Sequence, residues 1–158
     1  MSDSGSDSGA LPGRGFDASI LDKKDIELFT SLCQFVWVQG EPLPLIYEID
    51  NEIYTKHGIN LPALQRLKAI GLISLESAGY VKRKFGKHTR LFYFGKPTKI
   101  QFPHAANNQL DLGHVLLSDL GKALASAYNA KRNQEYYEYI IKRWSRQGMV
   151  VSSILARS

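Results

Sequence analysis

Gly58-Ile-Asn60-Leu-Pro62-Ala-Leu64-Gln-Arg66-Leu67-Lys-Ala-Ile70-Gly71-Leu-Ile73 decides how the rest of the chain is read. Asn60 is a good helix cap, because its side-chain oxygen accepts an N–H of the first turn. Pro62 falls in that turn, where a missing N–H costs nothing. Leu61, Leu64, Leu67 and Ile70 recur on one face, so the spacing predicts a short amphipathic helix. Gly71 suits the left-handed position that ends a helix, and Leu72-Ile73 then leaves in an extended direction.

Working backwards, Gly58, Ile59 and Asn60 form a three-residue turn. Before it, Ile46, Ile49 and Ile53 at spacings of three and four predict a helix over residues 45–57, with the β-branched run near Ile46 leaving a strand open at its start. Two short helices joined by such a turn are the helix-turn-helix signature. Upstream, Asp22 caps a helix expected to run to about Val38, with Ile26, Phe29, Cys33 and Val36 in one stripe. Gly40-Glu-Pro42-Leu-Pro44 breaks it. Residues 1–19 are rich in Ser, Gly and Asp and read as a disordered tail.

Downstream the period changes from helical to alternating. A strand is expected at 72–76. Tyr80–Phe85 and Thr89–Phe94 are expected to pair as a hairpin around Gly86-Lys87-His88. Further strands are expected at 98–102 and at 110–117, the latter with a bulge at Gly113. Ser118 caps a helix containing Leu120 and Leu124, and a last helix spans about 134–146 before Gly148. The domain is thus expected over 20–147, with a C-terminal tail at 148–158.

Composition bounds the function. The 158 residues carry 44% hydrophobic side chains, sufficient for one domain with a real core. No apolar run is long enough to span a membrane. The single cysteine, Cys33, suits a reducing cytoplasm and reads as a buried thiol. Net charge is +5. The first 19 residues hold Asp3, Asp7 and Asp17 against Arg14, so the remainder carries +7, which suggests a polyanionic partner.

Helix, helix, tight turn, helix, strand, hairpin resembles the order of a winged-helix domain. Leu64-Gln-Arg-Leu67-Lys-Ala-Ile-Gly71-Leu72-Ile73 is similar to the step from recognition helix to strand in such domains. Val115-Leu-Leu-Ser118-Asp-Leu-Gly121-Lys-Ala-Leu124 resembles their step from wing strand to the next helix, with Ser118 in place of Thr. The expected fold is therefore α+β and winged helix-turn-helix-like. Its helices would pack on a small antiparallel sheet or hairpin, with extra C-terminal helices. Residues from about Leu21 to Trp144 also resemble the C-terminal region of an uncharacterised bacterial family carrying a domain of unknown function. The matching phrases are Phe35-Val-Trp37, Ile53-Tyr-Thr-Lys-His-Gly-Ile-Asn60, Gly71-Leu-Ile73, Tyr93-Phe-Gly95 and Tyr137–Trp144. That resemblance implies no site residues.

The strongest electrostatic feature is an absence. From Ser77 to Leu110 there is no acidic residue, while Lys82, Arg83, Lys84, Lys87, Arg90, Lys96 and Lys99 are present. A basic wing of this kind follows a phosphate backbone, with Lys82, Arg83, Lys84, Lys87 and Arg90 on phosphates and His88 among them. The same charges also suit a solvated hairpin whose lysines discourage edge pairing. On the helix, Gln65 and Arg66 face outward with Lys68 at the margin. Arg and Gln read guanine and adenine edges. A core helix with ordinary polar residues outside fits as well.

Tyr136, Tyr139 and Arg143 fall off the core stripe of the last helix, as at a protein interface or dimer contact, or as side chains that pack on the apolar C-terminal tail. The four histidines have no metal-ligand spacing with one another or with Cys33, and no phosphate-cradling loop or nucleophile elbow is present. The expectation is a cytoplasmic, non-enzymatic nucleic-acid binder without cofactor, duplex DNA being the expected form. The alternative is a protein-interaction or dimerisation module.

Overall fold

A computed structural model describes residues 21–153, so the expected N-terminal tail lies outside the described residues. The described chain is α+β. Its elements are α1 (Lys23–Cys33), β1 (Val36–Gln39), β2 (Glu41–Pro44), α2 (Glu52–Thr55), α3 (Leu61–Ala69), β3 (Ile73–Phe85), β4 (His88–Tyr93), β5 (Lys96–Gln101), β6 (Asn108–Leu117), α4 (Asp119–Ala125), α5 (Gln134–Arg146) and β7 (Val150–Ser153).

The helix starts follow their caps. Asp22 accepts the Asp25 N–H at 2.8 Å, Asn60 that of Ala63 at 3.0 Å, and Ser118 that of Gly121 at 3.0 Å. Ser118 also donates to the Gly71 carbonyl at 2.7 Å, so the end of α3 and the start of α4 share one hydroxyl. Gly121 sits where a Cβ would lie 2.2 Å from the Leu72 carbonyl oxygen, which is why only glycine fits beside the α3 exit.

α1 stops at Cys33, earlier than its apolar stripe suggests. Residues 36–39 are β-branched, aromatic or flat polar and form a strand instead. β1 reverses at Gly40 (φ +74°) and pairs with β2, from Val36↔Pro44 to Gln39↔Glu41. β2 is an edge strand, the position in which Pro42 and Pro44 are tolerated. The helix expected over 45–57 contracts to the four residues of α2, capped by Asn51. Leu45, Ile46 and Tyr47 are buried in extended chain, and Ile46 bridges Gly113 in parallel. Gly113 (φ +80°) is required there, since a Cβ would come within 2.4 Å of the Ile46 carbonyl oxygen.

The sheets depart most from expectation, being larger than a small hairpin. β3 is one 13-residue strand that pairs antiparallel with β6, with register shifts between Leu75 and Phe85. The expected partnering of 80–85 with 89–94 does not occur. At Gly86 the chain crosses into a second, five-stranded sheet of order β2-β1-β4-β5-β7. The tight hairpin lies instead at Phe94-Gly95, between β4 and β5, with Tyr93↔Lys96 closing it. Both loop residues have positive φ (50° and 77°), as a two-residue hairpin turn requires. Buried Asn108 pins the crossing by donating to the carbonyls of Gly86 (2.9 Å) and His104 (2.8 Å). Residues 150–153, expected within a tail, form β7 on the free edge of β5.

α5 covers one face of the five-stranded sheet. Trp37 stacks on Tyr93 at 4.8 Å and Tyr137 at 5.8 Å, and meets Trp144 edge-on at 5.0 Å. These rings, with Phe35, Tyr54 and Tyr136, make an aromatic core whose polar ends are paired with one another and with backbone.

Candidate nucleic-acid interface

The sequence-predicted site residues do not form one patch of free side chains. On α3, Gln65 and Lys68 are exposed on the outer face. Arg66 is engaged. Its guanidinium holds Asp25 of α1 with two parallel bonds, Nε to Oδ1 at 2.8 Å and Nη2 to Oδ2 at 2.7 Å. Asp25 is buried, and its carboxyl is held below the usual carboxylate range by that hydrogen bonding, against the opposing effect of burial. Arg66 is thus fixed at the α1–α3 joint.

The basic segment is distributed over two sheets. On β3, the Lys82 ammonium reaches across to β1, bonding the Gln39 side-chain oxygen (2.5 Å) and carbonyl (3.3 Å) while lying 5.9 Å from the Phe85 ring centroid. Arg83 donates to the Gln109 side chain on neighbouring β6 at 2.7 Å. Lys84 is exposed, with a left-handed backbone (φ +67°) that re-aims the strand end. Lys87 sits at the crossing, where its carbonyl accepts the Phe102 N–H. His88 and Arg90 begin β4, His88 lying 3.2 Å from the Gln101 side-chain oxygen.

None of Lys82, Arg83, Lys84, Lys87, Arg90, Lys96 and Lys99 has a carboxylate within 4 Å among the described residues. Lys56, Lys122 and Arg143 elsewhere do, opposite Glu135, Glu41 and Asp111. The partners of Lys82 and Arg83 are neutral amides, which orient a cation without cancelling its charge.

The proposed interface on the last helix changes character. Tyr136 is not exposed; it is fully buried. Its hydroxyl accepts from Trp37 Nε1 at 3.2 Å and lies 3.0 and 2.8 Å from the Phe35 and Leu45 carbonyls, which share its single O–H donor. Helical periodicity missed this because the sheet and the 45–47 segment close on α5 from two sides. Tyr139 is half-buried and donates to the Glu48 carboxylate. Arg143 stacks 4.2 Å over the Tyr47 ring and lies 3.6 Å from Asp111. Both are occupied within the fold.

Among the described residues, no helix is long and apolar enough to cross a membrane. Cys33 is free and buried, and burial pushes its thiol up to about 12.

Residues 19–141 match a family described as a protein of unknown function (DUF2806). No curated protein and no solved structure matches the chain significantly. With most of its length inside that match, the chain belongs to the DUF2806 family.

Proposed function

We propose that this domain binds nucleic acid without catalysing a reaction on it, with duplex DNA as the ligand and a winged helix as the frame. In that reading α1, the Ile46 bridge, α2, α3 and the β3–β6 pair are the winged-helix parts. Residues 86–107 are then an enlarged wing that has grown into the second sheet. The order of elements, the three-residue turn at 58–60 and the antiparallel β3–β6 pair support the frame.

One observation carries the function. Residues 77–110 hold seven Lys and Arg side chains and no Asp or Glu, and the described residues give those cations no carboxylate. Assembling such a surface costs self-repulsion, which a phosphate backbone relieves by releasing its counterions. Lys82, Arg83, Lys84, Lys87 and Arg90 are the backbone contacts, and Gln65 with Lys68 remains available on α3. Arg66 contributes little, because Asp25 holds it. Contact is therefore dominated by phosphates and weakly selective for sequence. A cytoplasmic setting accompanies this reading, consistent with the unpaired Cys33 thiol. Fluorescence anisotropy with a labelled random duplex tests it: binding at low salt that weakens as salt rises is expected, and no binding at low salt refutes it.

A further inference from the structure

The outer face of the five-stranded sheet, opposite α5, is a second and chemically different surface. Along β4, Leu91 and Tyr93 are buried while His88, Arg90 and Phe92 are exposed. Directly paired residues of antiparallel strands share a face. The register therefore lays out rows on this side: Val38, Phe92 and Pro97; then Arg90, Lys99 and Ser152; then His88, Gln101 and Val150.

Two features of these rows are unfavourable for the isolated protein. Arg90 and Lys99 stand directly opposite each other, a like-charge pair that destabilises a sheet, and the described residues supply no carboxylate to either. Beside them Phe92 and Phe94 are each 39% exposed and Val38 is 42% exposed. Phe94 is held at φ +50° in a turn that Asn or Gly would occupy with less strain. Its ring stands edge-on to Tyr93, 4.8 Å away. Next to these rings lies a cleft of about 190 Å³ walled by Val36, Val38, Phe92, Phe94 and Tyr128. Cations paired against each other next to displayed flat rings and an apolar cleft match a ligand that alternates phosphates with flat, apolar-faced groups.

We infer that the outer sheet face binds an unpaired, single-stranded segment of nucleic acid, with Arg90 and Lys99 on its phosphates and bases stacked on Phe92 and Phe94. Bases in a duplex are stacked on one another and cannot offer their faces, whereas unpaired bases can, without regard to sequence. An apolar peptide would use the cleft but leave the Arg90–Lys99 pair unrelieved. This inference rests on the nucleic-acid reading above and adds to it the structure of the ligand and a place for its unpaired segment that adjoins the duplex contacts at Arg90.

The test compares a blunt duplex with the same duplex carrying a single-stranded thymidine tail, by competition anisotropy at fixed salt. The tailed ligand should bind roughly tenfold more tightly. Phe92→Ala with Phe94→Ala should abolish that advantage while leaving blunt-duplex affinity unchanged. Phe92→Tyr, which keeps the ring, should retain it. Lys99→Ala, which lies outside the duplex contacts, should also reduce it. Thermal melting of each variant within a few degrees of the parent excludes misfolding, and single Phe92→Ala serves if the double variant melts lower. Equal affinity for the two ligands, or an advantage that survives loss of both rings, overturns the inference and leaves duplex binding standing. Failure to bind either ligand overturns both.

Discussion

Replacing Tyr136 by Phe removes one oxygen and leaves the ring in place, so it isolates the buried hydroxyl. That oxygen accepts from Trp37 Nε1, and its one O–H is shared between the carbonyls of Phe35 and Leu45. The two carbonyls keep other partners: Phe35 accepts the Leu45 N–H at 3.1 Å, and Leu45 accepts the Tyr54 hydroxyl at 2.9 Å. The Trp37 indole N–H has no substitute, and both rings are wholly buried. Stranding one buried donor costs about 1–3 kcal/mol, and losing the donated bond adds about 1 kcal/mol. Tyr136→Phe should therefore destabilise by about 2–4 kcal/mol. For a domain of this size that lowers the melting temperature by roughly 6–15 °C. Urea unfolding followed by near-ultraviolet circular dichroism measures both the loss and the changed Trp37 environment. Tyr139→Phe, at the half-buried neighbour, should stay within about 0.5 kcal/mol of the parent. Parent-like stability of Tyr136→Phe, with a change in self-association instead, would return this tyrosine to an interface and refute the core assignment.

Two more perturbations probe the frame. Gly113→Ala drives a Cβ into the Ile46 carbonyl at a positive φ, so β6 must shift and the domain should lose about 3 kcal/mol or more in denaturant titration; a loss below about 1 kcal/mol contradicts the Ile46 bridge. The Asp25 carboxyl is held low by Arg66, so its stabilising effect is complete above the unfolded carboxylate pKa of about 3.9 and is lost as pH falls through the lower folded value. Arg66→Ala should therefore melt lower than the parent at pH 7, with the gap narrowing below about pH 4; a gap independent of pH from 7 to 3 shows that the pair contributes nothing.

Local chemistry was legible in the sequence and long-range pairing was not. Asp22, Asn60 and Ser118 cap helices as their side chains dictate, and Gly71 and Gly148 end them in left-handed conformations. Periodicity failed where extended chain imitates it. Ile46, Ile49 and Ile53 have helical spacing, yet Ile46 is drawn into a bridge with a glycine 67 positions later. Gly86-Lys87-His88 punctuates two alternating runs like a hairpin, but nothing local reveals that 80–85 pairs with 108–113. The true turn at Phe94-Gly95 carries a residue that turn rules disfavour. The candidate site was legible as composition, the acid-free basic run, and illegible as geometry. An outward Arg66 looks available until Asp25, 41 positions earlier, is folded against it. Tyr136 looks exposed on a helical wheel because a wheel knows only one neighbour, whereas α5 has two.

In the proposed function, acid-free strands rather than α3 carry contact with a polyanion. The salt dependence of duplex affinity tests it most directly. Five cations on phosphates, Lys82, Arg83, Lys84, Lys87 and Arg90, predict a slope of log affinity against log salt of roughly −4 to −5. Arg83→Ala, Lys84→Ala and Lys87→Ala combined should make that slope shallower by about 3, whereas Arg66→Ala should change it by less than about 1. A slope unmoved by the triple substitution, or moved equally by Arg66→Ala alone, contradicts contact through these strands.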